Sequence, residues 1–203
     1  MDAKKLALDL KARAGNAKRY IVGIAGPPGA GKSTVSAQLN DALQGLGETS
    51  VVVPMDGYHF DDIVLNARGH RARKGAPHTF DARGFAVLLK RIKASEPDIA
   101  IPVFDRTMEL SRAAADIVDA ATRFILIEGN YLLLKQSPWD QLKPLFDLTV
   151  FIDVPKQELE RRLTSRILSH GHDAAYAKHW IASNDMLNVD TVISDSAKAD
   201  IVI

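Results

Sequence analysis

Cysteine is absent from the chain, which removes disulfides, thiolate catalysis and cysteine-ligated zinc from consideration. An excess of one charge is lacking too. The 26 lysines and arginines set against 25 aspartates and glutamates leave +1, which argues against nucleic acid or an anionic membrane as the main partner, while a local basic site stays open. No apolar run approaches the roughly 18 residues of a membrane span. Between Met1 and Arg13, Asp2, Lys4, Lys5, Asp9 and Lys11 interrupt what would be the apolar centre of a secretory signal, so a cytoplasmic protein is expected. None of the histidines has zinc-ligand spacing backed by other ligands. There is no internal repeat, no low-complexity segment and no Asn-Lys-x-Asp, the guanine-reading motif of a GTPase switch.

What is present is an ordinary globular composition, 46% hydrophobic and 25% charged over 203 residues, which suits one domain spanning 1–203 with a sizeable core. Short β-rich runs alternate with longer helical ones. Strands are expected at Tyr20–Ala25, Val51–Pro54, Ile99–Phe104, Phe124–Glu128, Leu148–Val154, Val189–Ile193 and Asp200–Ile203. Helical spacing is found at Ala3, Leu6, Ala7, Leu10 and Ala14, and over Ser33–Leu46, Gly84–Ser95, Gln157–Ser169 and Ala174–Asn184. The alternation predicts an α/β fold, a three-layer sandwich with a parallel sheet, whose functional residues gather at the carboxyl ends of the strands. Residues 57–83, rich in His, Arg, Gly and Asp and without a clear period, are expected to form a substrate-side loop.

One motif is specific. Gly26-Pro27-Pro28-Gly29-Ala30-Gly31-Lys32-Ser33-Thr34 fits G-x-x-x-x-G-K-[ST], after an expected strand and at the start of an expected helix. Gly29 and Gly31 allow the backbone to curl so that successive N–H groups face phosphate oxygens. The helix N-terminus adds partial positive charge at the same point. Lys32 would reach the β- and γ-phosphates, the Ser33 hydroxyl would ligate Mg²⁺, and Thr34 would lie on the α-phosphate side. ATP and Mg²⁺ are therefore the expected nucleotide and metal.

Two acids follow. Ile125-Leu126-Ile127-Glu128 ends a strand in one carboxylate followed by Gly129, where hydrolytic motor ATPases tend to carry Asp-Glu. Glu128 is expected either to hold Mg²⁺ through water or to position the acceptor. Asp56, in Val53-Pro54-Met55-Asp56-Gly57, ends another strand beside or one removed from the phosphate-loop strand, and there it would take a proton from an attacking hydroxyl. The plain alternatives are a solvated strand-end Glu and an Asp capping a turn with Gly57.

With these residues the chain resembles the uridine kinase / phosphoribulokinase / bacterial pantothenate kinase superfamily of P-loop kinases, over about Tyr20 to Asn188. Met55-Asp56-Gly57-Tyr58-His59 resembles the block whose Asp acts as catalytic base. Arg73-Lys74-Gly75-x-Pro77-x-x-Phe80-Asp81 resembles a pantothenate kinase segment, Pro102-Val103-Phe104-Asp105 a block lining the acceptor site, and Arg162-Leu163-x-x-Arg166-Ile167 the arginine-bearing lid helix of uridine kinases. The stretch Arg106–Arg112 lacks the family's nucleoside-holding His, and Ala76 stands where uridine kinases carry another. The chain is also shorter than typical pantothenate kinases. The remaining likeness is to short bacterial and fungal relatives, some described as fructokinases.

The resemblance implies phosphoryl transfer from ATP to a hydroxyl of a small molecule, a sugar ranked before a nucleoside and a pantothenate-like acid. An NTP-hydrolysing regulatory protein and a nucleotide-binding module without catalysis are the competing classes. Arg162 and Arg166, four apart, would share the cleft face of a lid at 157–173, or else pair on the surface with Glu158 and Glu160. His59, Arg73, Lys74, Asp105 and Arg106 are candidate acceptor contacts, with Lys32, Asp56 and Arg166 as the catalytic set. The basic run Arg68, Arg71, Arg73 and Lys74 lacks the interleaved aromatics of an RNA site. A homodimer is left open.

Overall fold

The computed structural model describes residues 2–203. In chain order the helices are α1 (Ala3–Ala14), α2 (Lys32–Gly45), α3 (Asp62–Ala67), α4 (Ala82–Lys93), α5 (Lys156–Ser169), α6 (Ala174–Trp180) and α7 (Met186–Asp195). The strands are β1 (Tyr20–Ala25), β2 (Ser50–Pro54), β3 (Ile99–Asp105), β4 (Leu110–Val118), β5 (Phe124–Gly129), β6 (Leu148–Phe151) and β7 (Ile201–Val202).

Five strands form a parallel sheet in the order β2-β5-β1-β6-β7. Both of its faces are covered, which is why its strands read as continuous apolar runs instead of alternating ones. Ile21, Val53, Ile125 and Ile127 point into one apolar layer with Phe85 and Leu89 of α4. Val22, Ile24, Phe124 and Leu126 point into the other, with Leu6 and Leu10 of α1, Leu39 and Leu43 of α2, and Leu159 and Leu163 of α5. The result is the expected three-layer α/β sandwich. Because all five strands run the same way, the ends of β1, β2 and β5 open onto one edge.

Two strand expectations are corrected. Val189–Ile193 lies within α7. Its β-branched residues favour a strand locally, but Val189 and Val192 are buried while Leu187, Asp190 and Ile193 are exposed, and burial three positions apart needs a helix. The 99–104 run does not join the parallel sheet. It forms a separate antiparallel hairpin with β4, which the sequence reading missed, and the register shifts between Ile101 and Val103, at Pro102, a residue with no N–H to donate. The 57–83 segment is built from α3 and short 3₁₀ turns, with Asp61 capping α3 and Asp81 capping α4.

Candidate active site

The loop leaving β1 carries Gly29 at φ 80° and Gly31 at φ 91°, both left-handed, so the motif glycines are needed by the backbone. Lys32 opens α2 and is 9% exposed, its Nζ donating to the Pro27 carbonyl at 3.0 Å. Burial pulls its pKa down to about 8, against the opposing pull of Glu128 and Asp56. Ser33 Oγ donates to Glu128 Oε1 at 3.0 Å. Glu128, 7% exposed at the end of β5, has its pKa raised by burial first and by Asp56 second, while Lys32 and Ser33 hold it down. Parallel pairing fixes this juxtaposition, since Glu128 is in register with Ile24 on one side and Pro54 on the other. Asp56 therefore stands one strand away from the phosphate loop, with Glu128 between.

Asp56 sits in the 3₁₀ turn after β2. A Cβ on Gly57 would overlap the Pro102 carbonyl, so the glycine admits the β3–β4 hairpin to the cleft edge. The hairpin brings Arg106, whose Nη2 donates to Asp56 Oδ2 at 2.6 Å. His59 Nδ1 donates to the Asp56 carbonyl at 2.8 Å, a tautomer fixed by an acceptor that carries no proton. The His59 ring lies 3.9 Å from the Phe80 ring and 4.9 Å from Phe104, and burial lowers its pKa.

A cavity of about 970 Å³ unites the phosphate loop, Asp56, His59, Arg106 and Glu128 with Arg162, Arg166 and residues from α6 and α7. On α5, Arg162 Nε donates to Glu158 at 2.7 Å, and its Nη1 points toward the Gly29 and Ala30 carbonyls at 3.4 and 3.5 Å. Glu158 is held down to about 2 by hydrogen bonds from Arg161 and then Arg162. Arg166 faces the cleft and has no such partner among the described residues, and its charge is felt by Lys32 and Asp185.

Three candidate acceptor residues are built into other contacts. Arg73 donates to the Ser183 carbonyl at 2.6 Å, to the Asn184 carbonyl at 3.4 Å and to Asn188 Oδ1 at 3.1 Å. Lys74 pairs with Asp62 at 2.8 Å and donates to the Glu109 carbonyl at 2.9 Å. Asp105 Oδ1 accepts from the N–H groups of Thr107 and Met108, and its other oxygen faces Arg112 at 3.4 Å, so it closes the hairpin turn.

Asp185, His172, Tyr176 and Trp180 were not read from sequence as cleft residues, whereas Asn184 and Asn188 were candidates for a nucleotide or acceptor contact or for helix caps. Ile181–Asp185 forms a π-helical turn between α6 and α7, and its Asn184 and Asp185 are buried at the cleft wall. The Arg73 fork on the Ser183 and Asn184 carbonyls supports this irregular turn. His172, Tyr176 and Trp180 stack in a ladder, ring centroids 4.3 and 6.1 Å apart, along the same cleft. Their four-residue spacing was a visible signal, whereas an acid inside a helical pattern gave none.

A glycine loop, a buried lysine, a strand-end glutamate and an acid across one cleft, on a parallel sheet, define a P-loop kinase. The chain belongs to the Phosphoribulokinase / Uridine kinase family, whose model matches residues 21–203. It is 32% identical over 188 residues to the uncharacterized protein YggC of Escherichia coli K12, covering 92% of this chain and 78% of that one. It is 32% identical over 195 residues to a Schizosaccharomyces pombe protein provisionally named uridine kinase C227.14, covering 92% and 83%. A crystal structure from Silicibacter sp. TM1040, provisionally named a fructose transport system kinase, superposes with a TM-score of 0.95 at 36% identity over 100% of this chain and 99% of that one.

Proposed function

We propose that this kinase transfers the γ-phosphate of ATP to a hydroxyl of a small metabolite, with a sugar as the best reading of the acceptor. The observation that carries it is the buried Lys32, set beside the curled glycine loop and facing both Glu128 and Asp56. A buried lysine with a depressed pKa gains most when a polyphosphate arrives to restore its charge. The sugar reading leans on the name of the Silicibacter relative, which calls that protein a fructose transport system kinase.

In this proposal the loop N–H groups from Gly26 to Thr34 and Lys32 hold the phosphates, and Arg166 approaches from α5 to offset charge as the bond breaks. The residues fit Mg²⁺: Ser33 and Glu128 present hard oxygen donors 3.0 Å apart at the phosphate loop. Ser33 would hold it directly and Glu128 through water, and when bound it supplies charge neutralisation at the β,γ-phosphates. Asp56 takes the proton of the acceptor hydroxyl. The new oxygen–phosphorus bond forms as the bond to the leaving ADP oxygen breaks. His59 and Arg106 orient Asp56. Lys74 lines the cleft, while Arg73 and Asp105 hold the π turn and the hairpin turn around it.

A nucleoside is the second reading, favoured by the flat His172–Tyr176–Trp180 ladder at the cleft and by the name of the fission yeast relative. The test is ADP release with and without added acceptors, checked by the mass gain of one phosphate on the acceptor. Slow turnover alone and a large rise with one sugar or nucleoside is the expected result. Turnover indifferent to every acceptor is the result that removes the reading.

A further inference from the structure

Folded proteins rarely leave buried polar atoms without partners, and each such atom carries a desolvation penalty of about 1–3 kcal/mol. Two of them lie side by side on the π-helical turn. Asn184 is 1% exposed; its Nδ2 donates to the Lys74 carbonyl at 3.0 Å, which leaves Oδ1 buried and unpartnered. Asp185 is 8% exposed, and its Oδ2 is likewise buried and unpartnered. Both residues line the cleft that holds Lys32, Asp56 and Glu128.

The chemistry of this corner is one-sided. The two idle atoms are hydrogen-bond acceptors. Two arginines bring their charge to Asp185: Arg73 is committed to the Ser183 and Asn184 carbonyls and to Asn188, and Arg166, across the cleft, makes no hydrogen bond to either idle atom. What the two oxygens lack is a bonded donor. A hydroxyl supplies one, whereas a carboxylate supplies none and would set its own lone pairs against Asp185.

We propose that Asp185 and Asn184 form a specificity-determining subsite that receives hydrogen bonds from two hydroxyl groups of the phosphate acceptor, which is therefore an uncharged, polyhydroxylated molecule and not a carboxylic acid. This rests on the small-molecule kinase reading above and narrows it. The hydroxyls that dock here are distinct from the one presented to Asp56, so the acceptor carries at least three. Both residues line the same cleft from the π turn, and the Arg73 fork holds the turn in place. A site built to bond a hydroxyl discriminates strongly against an analogue lacking it, because its own groups are then left unpaired.

The experiment uses the full chain with Mg²⁺ and ATP and two sets of acceptors, neutral (D-fructose, D-ribose, uridine) and acidic (pantothenate, D-glycerate). Phosphorylation within the neutral set is expected. For the best neutral acceptor, Asp185→Asn, which keeps the shape but replaces an accepting oxygen by a donor, should raise its KM by about tenfold or more and leave the KM for ATP within about twofold. A single-deoxy analogue of that acceptor should lose at least about tenfold in kcat/KM with the natural chain and no more than about twofold with Asp185→Asn. A merely structural role for Asp185 would lower activity on both compounds alike. Asp185→Ala, compared by thermal melting, serves if the Asn variant folds poorly. Transfer to an acid alone overturns the subsite and leaves the kinase reading standing. An unchanged acceptor KM, or a change confined to ATP, overturns it as well and points Asp185 toward Arg166. No transfer to any probe overturns both this inference and the reading beneath it.

Discussion

Arg106 Nη2 donates to Asp56 Oδ2 at 2.6 Å, joining the hairpin tip to the turn after β2 across 50 positions of sequence. The arginine is 67% exposed on its side chain, so the pair contributes no more than about 1 kcal/mol to stability. Arg106→Ala should leave the melting temperature almost unchanged while altering acceptor kinetics. Asp56→Asn should keep ATP affinity and lower transfer by about two to four orders of magnitude, the scale of a lost general base. Stopped-assay kinetics and calorimetric ATP titration check both, and near-normal transfer by the Asn variant would take Asp56 out of the chemistry.

Lys32→Ala should weaken ATP binding and turnover together. The buried ammonium is the only side-chain cation among the loop residues Gly26–Thr34, and a water in its place cannot match a charge-assisted bond to phosphate. Isothermal titration read alongside turnover is the measurement. Wild-type affinity and rate in that variant would contradict the assignment of the loop.

Arg73→Lys should destabilise the protein by about 1.5–3 kcal/mol, the range for hydrogen bonds to a charged group. One ammonium cannot span the Ser183 carbonyl, the Asn184 carbonyl and Asn188 Oδ1 as the planar fork does. Denaturant melts check the loss. Hydrogen exchange should rise in 181–188 first, and exchange unchanged there would show that the π turn stands without its brace.

Acid should weaken the fold partly through His59. Burial lowers its folded-state pKa below the usual 6.5, so between that value and 6.5 the unfolded chain binds more protons. Stability therefore falls as pH drops below about 6.5 toward the folded pKa. His59→Gln should flatten the fall between pH 7 and 5 without abolishing it, because His78 is also lowered, by burial first and then by the His70 charge. Urea melts at stepped pH test this, and equal slopes for the variant and the natural chain would assign the acid loss elsewhere.

Much of the phosphate side of the site was legible from sequence, since its parts are consecutive. Gly29, Gly31, Lys32 and Ser33 act through backbone curvature and a helix start, and both are local. Asp56 and Glu128 were legible because each ends an apolar run, and parallel strands bring such ends to one edge. The acceptor side was less so. Arg73 and Lys74 looked available because a basic run says nothing about which carbonyls and carboxylates will meet it. Asp105 looked like a pocket residue until the hairpin closed on it.

The sequence by itself determined the α/β alternation, the phosphate loop and the two strand-end acids, because each follows from neighbours along the chain and from periodic burial. Only the tertiary structure decided that Val189–Ile193 would be helical, that Ile99–Asp105 would leave the main sheet, and that Arg73 would brace a π turn. Those outcomes depend on which distant groups satisfy a hydrogen bond or cover an apolar face. Asn184 Oδ1 and Asp185 Oδ2 are the clearest instance, since an unpartnered atom is defined by everything packed around it.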